Sequence, residues 1–381
     1  MSATHPDVVV VGAGIVGAAC ARALARDGAR VLLVDAGFPG GGSTSAAMGH
    51  LVVMDDSDAQ LALTAYSRDL WDEMADDMPA DCEMEVRGTL WLAEGAEELA
   101  AAEAKRAVYE AHGVAASLVD ERELANMEPW LRRGLAGALF VPDDAVLYPP
   151  AAARWLARRA VSLGAELRER CAVDAIGAGW VRMREASGAS DVVSCGAVVN
   201  AAGIDAPRLT PGLPIVPRRG HLVITERYPD MVRSQLVELG YLHSAHTMTG
   251  ESVAFNVQPR PTGQLLIGSS RELVGRDART NERVLAAMVR RAVALIPALA
   301  GCAAIRAWTG FRPATPDSLP LIGAWEPVEG VWIAAGHEGL GITTAPGTAE
   351  LIAAEILGRT PPIDGAPYHP GRALATGHAE G

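Results

Sequence analysis

The sequence of 381 residues lacks paired cysteines, basic clusters and long apolar runs. Its five cysteines are scattered singly, and none shows the C-x-x-C spacing of a zinc or iron–sulfur site, so we expect no metal centre. A net charge of −13 without a block of basic residues argues against a nucleic-acid-binding protein. Unpaired cysteines also fit a reducing compartment.

No apolar run approaches the roughly 20 residues that a membrane-spanning helix requires. The N-terminal residues show neither the basic nor the apolar region of a signal peptide. We therefore expect a cytoplasmic protein. Hydrophobic residues make up 49% and charged residues 21% of the chain, a balance that supports a large core in two or three domains.

The N-terminal segment shows the pattern of a dinucleotide-binding unit. A β-branched run at 8–11 leads into Gly12, Gly14 and Gly17, then an alanine-rich stretch and a second apolar run that ends at Asp35. The first glycine permits a tight turn, the second lets the backbone approach a pyrophosphate, and the third allows close helix–strand packing. Asp35 is placed to accept hydrogen bonds from a ribose. An ordinary glycine turn is the alternative, but the agreement of all these parts favours nucleotide binding.

Two further glycine-rich loops precede predicted helices. Residues 37–47 combine glycines with Ser43, Thr44 and Ser45, whose hydroxyl and backbone N–H groups could contact a diphosphate. A flexible surface loop is the alternative here. The second loop, residues 336–344, is one that a nicotinamide enzyme would not need. A flavin, with a bulky ring system as well as a diphosphate, would use it.

The pattern changes between residues 216 and 315 to strands separated by turns. This indicates an antiparallel sheet, and hence a second domain that faces the first. A long amphipathic helix at 281–295 returns from that sheet. A strand at 331–335 and a helix after it close the chain back onto the first domain.

The chain resembles the flavoproteins of the D-amino-acid oxidase type. This family includes glycine oxidase, sarcosine oxidase, D-amino-acid dehydrogenases and the flavin subunits of hydrogen cyanide synthase and opine oxidases. Within it, the chain also resembles D-hydroxyproline dehydrogenase flavin subunits, through residues 49–57 and 336–344. The stretches that carry the family resemblance are 11–35, 42–50, 199–203, 312–323 and 336–344.

The resemblance implies an α/β protein of two domains. One would be a Rossmann-like, doubly wound FAD-binding domain, and the other an antiparallel-sheet α+β domain that binds the substrate. The FAD-binding domain would be discontinuous and consist of residues 1–75, 145–215 and 316–381. The substrate-binding domain would consist of residues 76–144 and 216–315.

The resemblance also implies bound FAD. Sarcosine oxidases attach the flavin through a cysteine at the position that matches Gly310, so we expect noncovalent FAD in this chain. The candidate cofactor contacts are Gly12, Gly14, Ile15, Val16, Gly17, Asp35, Ala36, Gly42, Ser43, Thr44, Ser45, Met48, Gly49, His50, Val173, Ala201, Ala202, Gly203, Gly310, Gly336, Gly339, Leu340, Gly341, Ile342 and Thr343.

The principal catalytic candidate is Arg312, because family members bind the substrate carboxylate with the arginine of this R-P-x-T-P-D stretch. A planar guanidinium can hold a carboxylate in a bidentate pair. The alternative is a structural ion pair with Asp317 or another acid. An acid at Glu338 could hold a substrate ammonium or hydroxyl. Further pocket candidates, for each of which packing is the alternative, are Tyr241, His50 and His337.

The implied reaction is oxidation of a small D- or cyclic imino acid to an imine by hydride transfer to flavin N5. The best substrate hypotheses are 4-hydroxy-D-proline and D-proline. One alternative is an amine oxidase of the glycine or sarcosine type. Another is a flavin subunit that is active only with iron–sulfur or second-flavin partner chains. Dioxygen, a quinone or a partner subunit could accept the electrons.

Overall fold

The computed structural model describes residues 5–240 and 251–372, so the pocket candidate Tyr241 lies outside the described residues. The helices are α1 (Ile15–Arg26), α2 (Gly42–Ala46), α3 (Asp58–Ala75), α4 (Ala96–Ala111), α5 (Glu121–Met127), α6 (Pro149–Ser162), α7 (Ala206–Leu209), α8 (Glu282–Leu295) and α9 (Gly341–Ile356). The strands are β1 (Val8–Val11), β2 (Val31–Val34), β3 (His50–Leu51), β4 (Glu85–Val86), β5 (Thr89–Ala93), β6 (Ser117–Asp120), β7 (Gly137–Val141), β8 (Ala145–Val146), β9 (Glu166–Arg168), β10 (Cys171–Gly177), β11 (Trp180–Glu185), β12 (Ser190–Ser194), β13 (Ala197–Asn200), β14 (Val216–Arg227), β15 (Gln235–Glu238), β16 (Ser252–Pro259), β17 (Gln264–Arg271), β18 (Ala304–Ala314), β19 (Leu321–Ala324) and β20 (Val331–Ala335).

A six-stranded sheet in the order β19-β20-β13-β1-β2-β9 forms the first half of the molecule. Its pairs are parallel except at β19, which runs antiparallel to β20. The central strand β1 is buried on both faces, which explains its unbroken valine run. Val8 and Val10 pack among the helices, whereas Val9 and Val11 pack against the other face.

Helices α1, α3, α6 and α9 cover one face of this sheet. Trp71 of α3 donates its indole N–H to the backbone carbonyl oxygens of Ile342 and Thr343, at 3.1 and 3.0 Å. The first turn of α9 is therefore held against α3. The antiparallel strands β10, β11 and β12 cover the opposite face. Strand β12, at the edge of this three-stranded sheet, is largely exposed.

An eight-stranded sheet in the order β18-β14-β17-β16-β15-β5-β7-β6 forms the second half. Every pair is antiparallel except β15 with β5, so the predicted antiparallel sheet carries one parallel pair. Side chains alternate across it: Leu90 and Leu92 pack towards α8, and Trp91 faces the other side. Asn281 caps α8 by accepting the backbone N–H of Val284.

Helix α4 is rich in charged residues and alanine, and it buries one side. Lys105, the only lysine of the sequence, is 4% exposed and forms an ion pair with Asp55. Its ammonium also lies 4.8 Å from the ring centroid of Trp91. The hydroxyl of Tyr109 donates to the carbonyl oxygen of Val53 at 2.6 Å. The buried side of α4 therefore holds the segment that follows β3 in place.

The two sheets draw their strands from separate parts of the chain. Those of the six-stranded sheet lie within 8–34, 166–200 and 321–335, and those of the eight-stranded sheet within 89–141 and 216–314. This distribution supports the predicted division into an FAD-binding domain and a substrate-binding domain, which stays a proposal. In the described ranges, no helix has both the length and the apolarity to cross a membrane.

Gly17 offers a test of the packing at the first turn. A Cβ atom there would overlap the carbonyl oxygen of Gly12, so we expect Gly17→Ala to destabilise the fold by about 1–3 kcal/mol or more and to lower FAD content. Thermal unfolding and flavin absorbance measure both effects. Gly301→Ala is the control, because nothing lies within 4 Å of a Cβ atom at that position. Equal stability of the two variants would contradict the proposed close packing.

Candidate active site

A cavity of about 860 Å³ lies between the two sheets. It begins beside the β1–α1 turn, passes the end of β2 and the loop that contains α2, and ends between α9 and the eight-stranded sheet. This volume is near the upper end of the roughly 300–1,000 Å³ range of ligand sites. An elongated ligand that contacts both halves of the protein therefore fits it.

The β1–α1 turn has the geometry of a phosphate cradle. Gly12 adopts φ of +103°, and a Cβ atom there would lie 2.6 Å from the carbonyl oxygen of Ala201. The backbone therefore approaches β13 as only glycine allows. Gly14 is the N-cap of α1 and makes no side-chain cap. The first turn of α1 borders the cavity, where its N–H groups and helix dipole suit an anion.

Asp35 lies on the cavity wall as predicted. Its Oδ2 accepts the backbone N–H of Ala13 at 2.7 Å, and its Oδ1 accepts that of Gly37 at 2.7 Å. These bonds orient the carboxylate and leave further lone pairs on both oxygens. Acceptance of ribose hydroxyls by this group stays a prediction.

The three hydroxyls of the α2 loop contact protein groups. Ser43 donates to the carbonyl oxygen of Phe311 at 2.6 Å, and Ser45 donates to that of Gly42 at 2.9 Å. Thr44 accepts the backbone N–H of Ile15 at 3.1 Å. Their side chains hold the loop against α1 and β18, so contacts to a diphosphate would come mainly from its backbone.

Most of the predicted cofactor residues line this cavity. They are Gly12, Gly14, Ile15, Val16, Asp35, Ala36, Gly42, Ser43, Thr44, Ser45, Met48, His50, Val173, Ala201, Ala202, Gly203, Gly310, Gly339, Leu340, Gly341, Ile342 and Thr343.

Three predicted cofactor contacts, Gly17, Gly49 and Gly336, are not among the lining residues. Each is a glycine because another part of the protein lies close to it. A Cβ at Gly17 or Gly49 would overlap a backbone carbonyl oxygen, and one at Gly336 would lie 2.6 Å from the side chain of Thr315. These three glycines therefore allow close packing of protein segments and do not line the cavity.

Four charged side chains meet at the far end of the cavity. The Oε1 atom of Glu338 lies 3.7, 3.4 and 4.0 Å from nitrogens of Arg218, Arg271 and Arg312, respectively. Burial alone would raise the pKa of Glu338, but the three guanidinium groups hold it below its ordinary value. Glu338 is therefore ionised among cations, surroundings that suit neither a substrate ammonium nor a free catalytic acid.

Arg312 enters the cavity over a glycine. A Cβ atom at Gly220, on the paired strand β14, would overlap the guanidinium of Arg312. The Nη1 group donates to the carbonyl oxygen of Ser270 at 2.9 Å, and the side chain is 20% exposed. The alternative partner, Asp317, instead binds Arg372 at 2.7 Å. The alternative of an Arg312–Asp317 ion pair is therefore wrong, and the other acid near Arg312 is Glu338, 4.0 Å away.

The two candidate histidines both border the cavity but differ in their contacts. His337 is 4% exposed, lies 2.9 Å from the hydroxyl of Thr348 within α9, and has its pKa lowered to about 3 by burial. These surroundings favour its packing alternative. His50 borders the cavity, and burial lowers its pKa to about 4 despite the nearby Gln235 side chain. Both imidazoles are neutral at pH 7.

Some lining residues escaped sequence reasoning. Asn256 and Ser269 are 7% and 3% exposed and border the cavity from β16 and β17, as does Arg271. The available signal was the alternation of polar Asn256 and Gln258 with apolar neighbours in a strand. That alternation indicates that one face of the strand is polar, but only the folded sheet shows which face borders a cavity.

A family model for DAO-type FAD-dependent oxidoreductases matches residues 7–355. The chain belongs to this family. A glycine oxidase of Pseudomonas putida is 29% identical over 378 residues, which cover 95% of this chain and 98% of the relative. The hydrogen cyanide synthase subunit HcnC of Pseudomonas aeruginosa is 27% identical, with 95% of each chain covered. The solved structure of L-proline dehydrogenase from P. horikoshii gives a TM-score of 0.87 at 25% identity and covers 98% of both chains.

Several expectations are thereby confirmed. The DAO-family chain has the α/β FAD-binding fold with a separate antiparallel-sheet region, uses FAD and is an enzyme that oxidises amino acids at a CH–NH bond. The cavity fits this cofactor, because a glycine cradle and the end of β2 border one part of it and the N-terminus of α9 borders another.

The attachment of FAD is testable at Gly310. A Cβ atom there would lie 2.5 Å from the Cβ of Ala46, so a cysteine at this position would not fit. We expect acid precipitation of the purified holoenzyme to release all of its flavin into the supernatant, where absorbance quantifies it. Yellow colour that stays in the washed pellet after denaturation would show a covalent bond.

Proposed function

We propose that this enzyme oxidises a small D- or cyclic imino acid, with 4-hydroxy-D-proline ahead of D-proline, to the corresponding imine. The observation that carries the proposal is the guanidinium of Arg312, which borders the cavity opposite the N-terminus of α9. Bound FAD would supply the acceptor for the hydride that leaves the substrate carbon. The protein's own task is to hold the substrate there in one orientation.

The lining residues divide between the two parts of FAD. The turn at 12–16, the end of β2 at Asp35 and the segment 201–203 would hold the adenosine diphosphate half. Residues 339–343 and Met48 would lie beside the ring system. The first turn of α9 would direct its positive dipole end at the ring, where it offsets the negative charge that reduction adds.

Arg312 would bind the substrate carboxylate. Ser270 takes one of its donors, and Glu338 lies only at the 4.0 Å limit of an ion pair, so further N–H donors remain for an anion. A bidentate pair would fix the rotation of the substrate as well as its position. The carboxylate would thus determine which substrate hydrogen faces the flavin.

Glu338 would act on the substrate through these arginines. Its carboxylate lies within 4.0 Å of nitrogens of three guanidinium groups, among them that of Arg312, and can therefore orient the arginine that would bind the substrate carboxylate. This arrangement supports a positioning role for Glu338. It does not support the expected contact with a substrate ammonium or hydroxyl.

The ring substrate is supported by two similarities. Residues 49–57 and 336–344 resemble D-hydroxyproline dehydrogenase flavin subunits, and the solved L-proline dehydrogenase shares the fold over 98% of the chain. The similarity to glycine oxidase favours a second candidate function, oxidation of glycine or sarcosine. The similarity to a hydrogen cyanide synthase subunit favours a form that requires partner chains, with iron–sulfur or second-flavin subunits as electron acceptors.

Replacement of Arg312 tests the carboxylate site. Arg312→Met removes a charge-assisted pair worth about 1.5–3 kcal/mol, so we expect kcat/KM to fall about ten- to a hundredfold while FAD content stays unchanged. Stopped-flow reduction of the flavin and dye-linked turnover measure the effect. The matched control is Arg184→Met, which removes an exposed arginine on β11 that pairs with Asp174. Wild-type kinetics in Arg312→Met would show that the arginine has a structural role and does not bind the substrate.

A substrate comparison tests the ring hypothesis. We expect dye-linked turnover to be fastest with 4-hydroxy-D-proline, followed by D-proline, and slower with D-alanine, sarcosine and glycine. If glycine or sarcosine outperforms both prolines, the second candidate function is correct. If none of them reduces the flavin until another subunit is added, the partner-dependent form is correct.

A further inference from the structure

The wall of the cavity beside the arginine cluster contains uncharged polar side chains that the proposed function has not used. Asn256 and Ser269 are 7% and 3% exposed, and both border the cavity. The Oγ atom of Ser269 has no hydrogen-bond partner among the described residues, and neither does the Nε2 atom of His50. Buried polar atoms without partners are costly, so their presence at a cavity wall indicates a ligand group.

These side chains belong to one contiguous patch. The Gln235 amide lies beside His50 and donates its Nε2–H to Oδ1 of Asn256. That bond occupies the acceptor of Asn256 and leaves its amide N–H groups for the cavity. Ser269 follows Gly268, the cross-strand partner of Asn256. We name His50, Asn256 and Ser269 the neutral polar patch.

A second contact fixes the patch at the His50 end. Gln258, on the same face of β16 as Asn256, accepts the backbone N–H of Gly49 at 2.8 Å. The segment that presents His50 is therefore bonded to the strand that presents Asn256. The three polar groups are held by two sheets and do not depend on a loose loop.

The patch lies close to the proposed carboxylate site. Arg312 is bonded to the carbonyl oxygen of Ser270, the residue that follows Ser269 on β17. Arg312 and the three members of the patch also border the same cavity. One substrate molecule can contact both.

We propose that the neutral polar patch of His50, Asn256 and Ser269 is a subsite for a hydroxyl group on the substrate, separate from the carboxylate site at Arg312. This inference rests on the proposed function. The patch offers an amide donor and a hydroxyl that both donates and accepts, which matches a hydroxyl. None of its members is charged at pH 7, so it suits neither a second carboxylate nor an ammonium group.

The subsite would select through the cost of unpaired groups. A substrate hydroxyl forms hydrogen bonds with the amide of Asn256 and the Oγ of Ser269. A ring substrate that lacks the hydroxyl leaves both of these buried groups without hydrogen-bond partners. Sites built to bind a hydroxyl discriminate strongly against the analogue that lacks it. The enzyme should therefore prefer hydroxylated rings because of the patch.

The test compares matched ligands that differ only in the hydroxyl. Asn256→Leu and Ser269→Ala holoenzymes are assayed with 4-hydroxy-D-proline and D-proline, and the ratio of the two kcat/KM values is measured. We expect each substitution to lower this ratio about three- to tenfold, the effect of one neutral hydrogen bond. Ser190→Ala, an exposed position on β12, is the control that should keep the wild-type ratio.

A binding measurement makes the test independent of turnover. Cyclopentanecarboxylate and 3-hydroxycyclopentanecarboxylate carry no nitrogen and cannot be oxidised to an imine, and their Kd values follow from the change in flavin absorbance. The preference for the hydroxylated probe should shrink in both variants. The FAD content of each variant shows whether it folds as the wild type does. If one variant does not retain FAD, the binding preference of the other variant tests the subsite.

The outcomes separate the two proposals. The subsite proposal is wrong if the wild-type enzyme shows no preference for the hydroxylated ligands, or if the variants keep the full preference. Neither result contradicts the proposed oxidation of a cyclic imino acid. If the probes show the preference and its loss in the variants, but no proline reduces the flavin, the subsite stands and the proposed substrate is wrong.

Discussion

The buried carboxylate of Glu338 is the contact on which the arrangement of the site depends. It belongs to the turn between β20 and α9, whereas the three arginines around it belong to β14, β17 and β18. The backbone N–H of Glu338 also donates to the carbonyl oxygen of Pro313 at 2.9 Å. One residue thereby ties the six-stranded half to the eight-stranded half at the point where both border the cavity. Buried ion pairs of this kind contribute more to orientation than to net stability.

That constraint gives the cavity two chemically different walls. Beside Glu338, the guanidinium of Arg312 is held over Gly220 and offers donors to an anion. Ser269, the residue that precedes this anchor on β17, belongs to a part of the wall that is neutral and polar. The N-terminus of α9, held in place by Trp71, borders both. A small ligand with a carboxylate and an uncharged polar substituent matches this division without any movement of the sheets.

The fold and much of the cofactor site could be predicted because their signals are local. A valine run, three glycines and a terminal aspartate follow each other within 35 residues, and each has a backbone reason to be there. Other parts could not be predicted from local signals. Gly17, Gly49 and Gly336 have the residue type of a ligand contact but are required by neighbouring protein atoms. The surroundings of His337 and the partner of Asp317 depend on segments distant in sequence.

The sequence by itself determined the nucleotide-binding unit and the two-sheet organisation, because periodicity and glycine spacing are properties of short segments, whereas Arg312 was singled out by the family resemblance of a linear motif. Only the tertiary structure decided which charges surround Glu338 and that Asn256, Ser269 and His50 border one cavity. These decisions depend on cross-strand register and on which side chain meets which charge. The hydrogen bond from Thr343 in the first turn of α9 to His50 of β3 joins residues 293 positions apart, a relation that no local pattern encodes.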